Sequence, residues 1–101
     1  MEELLNLLKT TGLKAAYHHF EKAPPPPYII YLFSGSDNFG ADNKVYNKIQ
    51  NYQVELYTNK KDINSEMLIE NLFDEHDVFY DKDETYIESE KLYQVTYYIE
   101  F

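Results

Sequence analysis

Apolar positions fall into short blocks whose spacing switches between helical and strand periods along the chain. Leu4, Leu5 and Leu8 recur at helical spacing, with Glu2 and Glu3 at the positive end of the helix dipole and Gly12 able to end the turn. Glu2 to Lys9 is therefore predicted as a short helix. Leu13 to Phe20 fits either period, and its aromatics with the prolines that follow favour a first strand. Pro24 to Pro27 have no amide donors and cannot be helical, which makes them a stiff connector delivering the next strand. Tyr28 to Phe33 is a continuous apolar run of strand length, followed by a Gly-, Asp- and Asn-rich stretch, Ser34 to Asn43, predicted as a loop.

Lys44 to Thr58 alternates in its later half, with Tyr52, Val54 and Leu56 on one side and Gln53, Glu55 and Tyr57 on the other. After the turn Asn59 to Lys61, Asp62 or Ser65 can cap a second helix running to about Glu75. Its apolar stripe is read as Ile63, Met67, Leu68 and Leu72, with Ile69 and Phe73 beside them. Val78 to Tyr80 and Glu84 to Glu88 are read as two short strands around the turn Asp81-Lys82-Asp83. In Leu92 to Phe101, Tyr93, Val95, Tyr97, Ile99 and Phe101 share one face. The expected fold is α+β: an antiparallel sheet of about four to five strands, two helices on one face, order α-β-β-β-α-β-β. Residues 1–101 are expected to form a single domain.

Composition adds two constraints. Eleven tyrosines in 101 residues suit half-buried sheet faces and subunit contacts, because each ring keeps a hydroxyl that needs water or a partner. The net charge is −9, and all cations are lysines. Asp62 to Glu90 hold eleven acids against one base, Lys82. Such a surface repels nucleic-acid phosphate, so no direct nucleic-acid affinity is expected. With no cysteines, no basic leader at the start and no long apolar run, the chain is expected to be an intracellular protein without disulfides or a membrane span.

A search for chemistry finds no catalytic, cofactor-binding or metal site. On a strand His18 and His19 would point to opposite faces, and His76 lies far along the chain among acids. Asp81 to Glu84 lack the glycine and distal glutamate of a calcium loop. The Gly35–Gly40 stretch lacks the following Lys-Ser/Thr pair of a phosphate cradle. The serines stand without a motif that would supply a base. No enzymatic activity is expected.

The line-up of segments carries a resemblance. A leucine-rich helix leads through Thr11-Gly12-Leu13 to Tyr17-His18-His19-Phe20. Then come Pro26-Pro27-Tyr28-Ile29-Ile30-Tyr31, the turn Ala41-Asp42-Asn43 and the run Val54 to Asp62, before a helix and a closing tyrosine-rich strand. Over nearly its whole length the chain resembles the small tail-completion, tail-terminator or head–tail joining proteins of long-tailed bacteriophages, especially prophages of Gram-positive bacteria. The resemblance implies a virion part, present in the host cytoplasm during assembly. Its partners would be copies of itself in a ring, usually of six, the tail tube protein and the head–tail connector proteins. It implies no cofactor and no membrane. Phe39, Tyr57 and Tyr98 are the expected interface aromatics, and Asp81, Asp83 and Glu84 are candidate acids facing a DNA lumen. A second reading from charge and size is a small acidic binding module, such as a DNA-mimic-like inhibitor or an immunity protein.

Overall fold

The computed structural model describes residues 2–41 and 44–101, with the backbone alone for residues 37–41 and 44–48. In chain order the elements are α1 (Glu2–Lys9), β1 (Lys14–Tyr17), β2 (Tyr28–Ala41), β3 (Lys44–Thr58), α2 (Ile63–Glu75), β4 (Tyr80–Ile87) and β5 (Leu92–Glu100). This is the expected α-β-β-β-α-β-β order. The five strands form one sheet, β1-β2-β3-β5-β4.

Both helices end where local chemistry satisfies their backbone groups. Thr10 and Thr11 hydroxyls donate to the Leu7 and Leu8 carbonyls at 2.6 and 2.7 Å, closing α1. The Asp62 carboxylate caps α2, accepting from the Ser65 N–H at 3.0 Å and its hydroxyl at 2.8 Å. At the far end Val78 N–H reaches back to the Phe73 carbonyl and Asp77 N–H to Asp74, with Asp77 left-handed at φ 54°. That pairing is a Schellman closure, with an aspartate where glycine is usual.

Register brings rows of side chains across the sheet. Ile29, Leu56 and Val95 form one row, Tyr31, Val54 and Tyr97 the next, and Tyr52 and Ile99 a third. All are buried, and Leu4 and Leu8 of α1 and Ile69, Leu72 and Phe73 of α2 close over them in one core. The helices therefore cover one face of the sheet, and among the described residues the other face carries no helix.

Four details differ from the sequence expectations. First, β1 pairs with β2 in parallel, within an otherwise antiparallel sheet. The strand stops at Tyr17, and the segment 18–27, stiffened by its prolines, carries the chain back to start β2 alongside Lys14. Second, the stretch expected as a loop from Ser34 continues β2 to Ala41, because the first half of β3 supplies a ladder of partners. Asp42 and Asn43, the rest of that loop and of the expected turn, lie outside the described residues. Ser34 is the extra residue of a bulge between Phe33 and Gly35, where Gly35 takes φ 143°. Third, Asp81-Lys82-Asp83 is not a turn: all three sit inside β4, paired with Tyr98, Tyr97 and Thr96.

Fourth, the buried side of α2 is rotated from the expected stripe. Ser65, Glu66, Ile69, Leu72 and Phe73 face the sheet, whereas Ile63, Met67 and Leu68 are exposed. A glutamate takes an apolar position because two lysines reach it from below.

Candidate interaction surfaces

The first polar constellation lies between α2 and the sheet. Glu66 and Glu70 stand one helical turn apart on the inner side of α2, with Glu66 only 2% exposed. Lys82, projecting from β4 to the helix-covered face, meets Glu66 Oε1 and Glu70 Oε2 at 2.7 Å each. Lys61 meets Glu66 Oε2 at 2.7 Å and Glu84 Oε1 at 2.6 Å. The contact to Glu66 Oε1 falls outside hydrogen-bond geometry, so that oxygen is paired by charge alone. Glu70 also accepts from the Tyr97 hydroxyl at 2.7 Å and the Tyr80 hydroxyl at 3.2 Å. Burial pushes the Glu70 carboxyl up, but the hydrogen bonds from Lys82 and Tyr97 outweigh it and hold the group below the usual glutamate value. Burial, then the bond to Glu70, pushes the Tyr97 phenol up. Every charge here has an opposite partner in contact, so the cluster is built to clamp α2 onto β4 and β5.

The second surface is the helix-free face. At one corner the connector's Phe20 packs edge-on against Tyr28 at 5.5 Å, and Tyr28 stacks on Tyr57 at 5.1 Å. The Tyr57 hydroxyl donates to Glu55 at 2.9 Å, and Gln94 donates to the other Glu55 oxygen at 3.2 Å. Burial first, then the bond to Glu55, pushes the Tyr57 phenol up. Across the sheet Asp81, Asp83, Tyr98 and Glu100 are exposed. Tyr98 donates to Asp83 at 3.0 Å, which raises its phenol pKa. Phe79, just before β4, is 81% exposed, and a shallow concavity runs past it between Asp81, Tyr98 and Glu100.

The third feature is an arm. β1 pairs only with Tyr28–Tyr31, and β5 reaches only to Asn51 along β3. Phe101 N–H still reaches the Gln50 carbonyl at 2.9 Å, so beyond it residues 36–41 and 44–49 pair with each other as a two-stranded ribbon, about 20 Å long, outside the five-stranded body. The whole chain measures 50 × 28 × 23 Å. The arm sequence 36–49 contains two acids and two lysines, so the full −9 resides on the body. At its foot, on the helix-covered face, Tyr17, Phe33, Tyr52 and Phe101 line an open aromatic concavity.

The residues singled out in sequence are scattered over these surfaces. Tyr57 is half-buried and engaged within the chain, whereas Tyr98 is exposed. Phe39 belongs to the arm by its backbone, and its side chain lies outside the described residues. The three candidate lumen acids do not share a surface: Asp81 and Asp83 face the open side, and Glu84 turns to the helix side and pairs with Lys61. His18 and His19 do not point apart either. The strand ends at Tyr17, His18 takes φ 67°, and the two Nδ1 atoms come within 3.1 Å. Among the described residues, no group of three or more His, Cys, Asp or Glu converges on a metal position. Sequence reasoning missed the Lys61–Glu66–Lys82–Glu70 cluster and the exposed Phe33, Phe79 and Phe101. The i, i+4 spacing of Glu66 and Glu70 was its one legible sign.

The class these features define is an α+β domain with one helix-covered and one open sheet face and a ribbon arm. No family model matches the chain, and no curated protein matches it significantly. Among the described residues, no helix is long and apolar enough to cross a membrane.

Proposed function

We propose that the chain is a structural assembly subunit, a tail-terminator or head–tail joining protein whose copies form a ring, of six in the resembled family, on the tail tube beneath the head connector. It acts as part of the virion and has no catalytic role. The arm carries this reading. An isolated two-stranded ribbon is marginal in water, and among the described residues no third strand pairs with either edge of this one beyond Gln50. A neighbouring subunit would satisfy those edges. The contact would be head-to-tail, because arm and body are different surfaces, and a head-to-tail contact that closes makes a ring. Charge favours the same arrangement: acidic bodies repel each other, whereas a neutral arm can approach the next body without that penalty. The aromatic concavity of Tyr17, Phe33, Tyr52 and Phe101 offers it an apolar seat. In this reading Asp81, Asp83 and Glu84 do not act as one lumen-facing set, since Glu84 turns to the helix side and pairs with Lys61.

The test is native mass measurement of the chain alone and with tail tubes, beside a variant in which an asparagine–glycine turn joins Gly35 directly to Asn51. The intact chain should form a closed oligomer, alone or on tubes, and the armless variant should stay monomeric while keeping its circular dichroism. Equal assembly of both, or of neither, defeats the reading. A monomer that instead binds a basic nucleic-acid enzyme tightly would favour the acidic binding module, which the −9 charge also supports.

A further inference from the structure

The exposed edge of the sheet opposite β1 is β4, and its side chains divide by face. Lys82 and Glu84 point toward α2 and are held in ion pairs there, Lys82 with Glu66 and Glu70 and Glu84 with Lys61. Asp81 and Asp83 point to the open face, beside Tyr98 and Glu100, with Phe79 at the strand's start. Strand period places the two aspartates about 7 Å apart, a spacing that alternate side chains of another extended strand reproduce.

We propose that β4 and the open face beside it dock an extended basic segment of a partner protein, with arginines at alternate positions. A strand added to the free edge of β4 would gain main-chain hydrogen bonds, and every second side chain would lie over the open face. Guanidinium groups there meet the Asp81 and Asp83 carboxylates and stack on Tyr98 and Phe79, a combination that arginine's planar, weakly hydrated cation suits better than lysine's. The intervening side chains face the Lys82 ammonium and a Glu84 carboxylate already paired with Lys61, where cations gain less than beside Asp81 and Asp83, so the motif is alternating and not a basic block. A second copy of this chain is the wrong occupant, because each copy carries −9 and no arginine. The proposal goes beyond the ring reading and does not depend on it: a chain that never forms a ring would still bind such a segment.

The probe is a twelve-residue peptide alternating arginine with threonine, titrated into the isotopically labelled full chain and followed by amide chemical shifts. Perturbations should concentrate on 79–85 and 96–100, and affinity should fall as salt rises. A peptide of the same composition with its arginines in one block should bind at least threefold more weakly. Asp81→Asn with Asp83→Asn should weaken the alternating peptide about tenfold, from two lost ion pairs with their ring contacts. Glu2→Gln with Glu21→Gln, exposed on α1 and on the connector after β1, removes the same charge and should change affinity less than twofold. Equal weakening by both pairs, equal binding of both peptides, shifts centred elsewhere, or no binding each overturns the proposal. Shift mapping uses the unaltered chain, so the site is tested whether or not a variant folds.

Discussion

Replacing Lys82 by methionine removes the cation at the centre of the clamp while keeping the length of its side chain. Its ammonium lies 2.7 Å from one oxygen of Glu66 and one of Glu70. A pair at a fully wet surface contributes about 0–1 kcal/mol, and removing one partner of a fully buried pair costs about 3–5 kcal/mol. This site lies between the limits. The Glu66 side chain is 3% exposed, but Lys82 itself is 35% exposed, and Lys61 still holds the second Glu66 oxygen. The expected loss is about 2 kcal/mol, or roughly 8–16 °C in Tm for a chain of this size. Urea unfolding followed by far-ultraviolet circular dichroism should show a lower midpoint with an unchanged slope. Glu66→Gln, alone and combined with Lys82→Met, completes a cycle whose coupling should be about 1–2 kcal/mol. A loss below about 0.5 kcal/mol with no coupling would refute the clamp and leave the cluster as a surface ion pair.

The remaining predictions concern acid and the arm. Glu70 and Asp62 both have depressed folded pKa values: Glu70 because the bonds from Lys82 and Tyr97 outweigh its burial, Asp62 through bonds from the Ser65 backbone and hydroxyl. The unfolded chain takes up those protons first, so the stabilisation is present above the ordinary values of 4.5 and 3.8 and is lost as pH falls through the folded ones. Urea midpoints should therefore drop as pH is lowered below about 4.5, and Lys82→Met should flatten that drop by removing the ammonium that holds Glu70 down. Gly35→Ala meets no atom within 4 Å of the added methyl, so its whole effect comes from φ 143° at the bulge. It should cost about 1–2 kcal/mol locally and re-aim the arm, reducing oligomer formation in native mass measurements more than it lowers Tm.

The sequence by itself determined the element order, the α+β class, and the inner faces of β3 and β5, because strict alternation leaves one way to bury Val54, Leu56, Val95, Tyr97 and Ile99. It also narrowed the α2 cap to Asp62 or Ser65, and the structure selects Asp62, whose carboxylate accepts from the Ser65 N–H. Tertiary structure decided what depends on partners far along the chain. Ser34 to Ala41 has loop composition but becomes strand because β3 pairs with it. β1 runs parallel to β2 because the proline segment returns the chain to the same end. The inner side of α2 holds Glu66 in place of Met67 because Lys61 and Lys82, from two separate segments, arrive beneath it. Local propensity and period are short-range quantities, whereas charge pairing and strand pairing between distant segments are settled only when the chain has closed on itself.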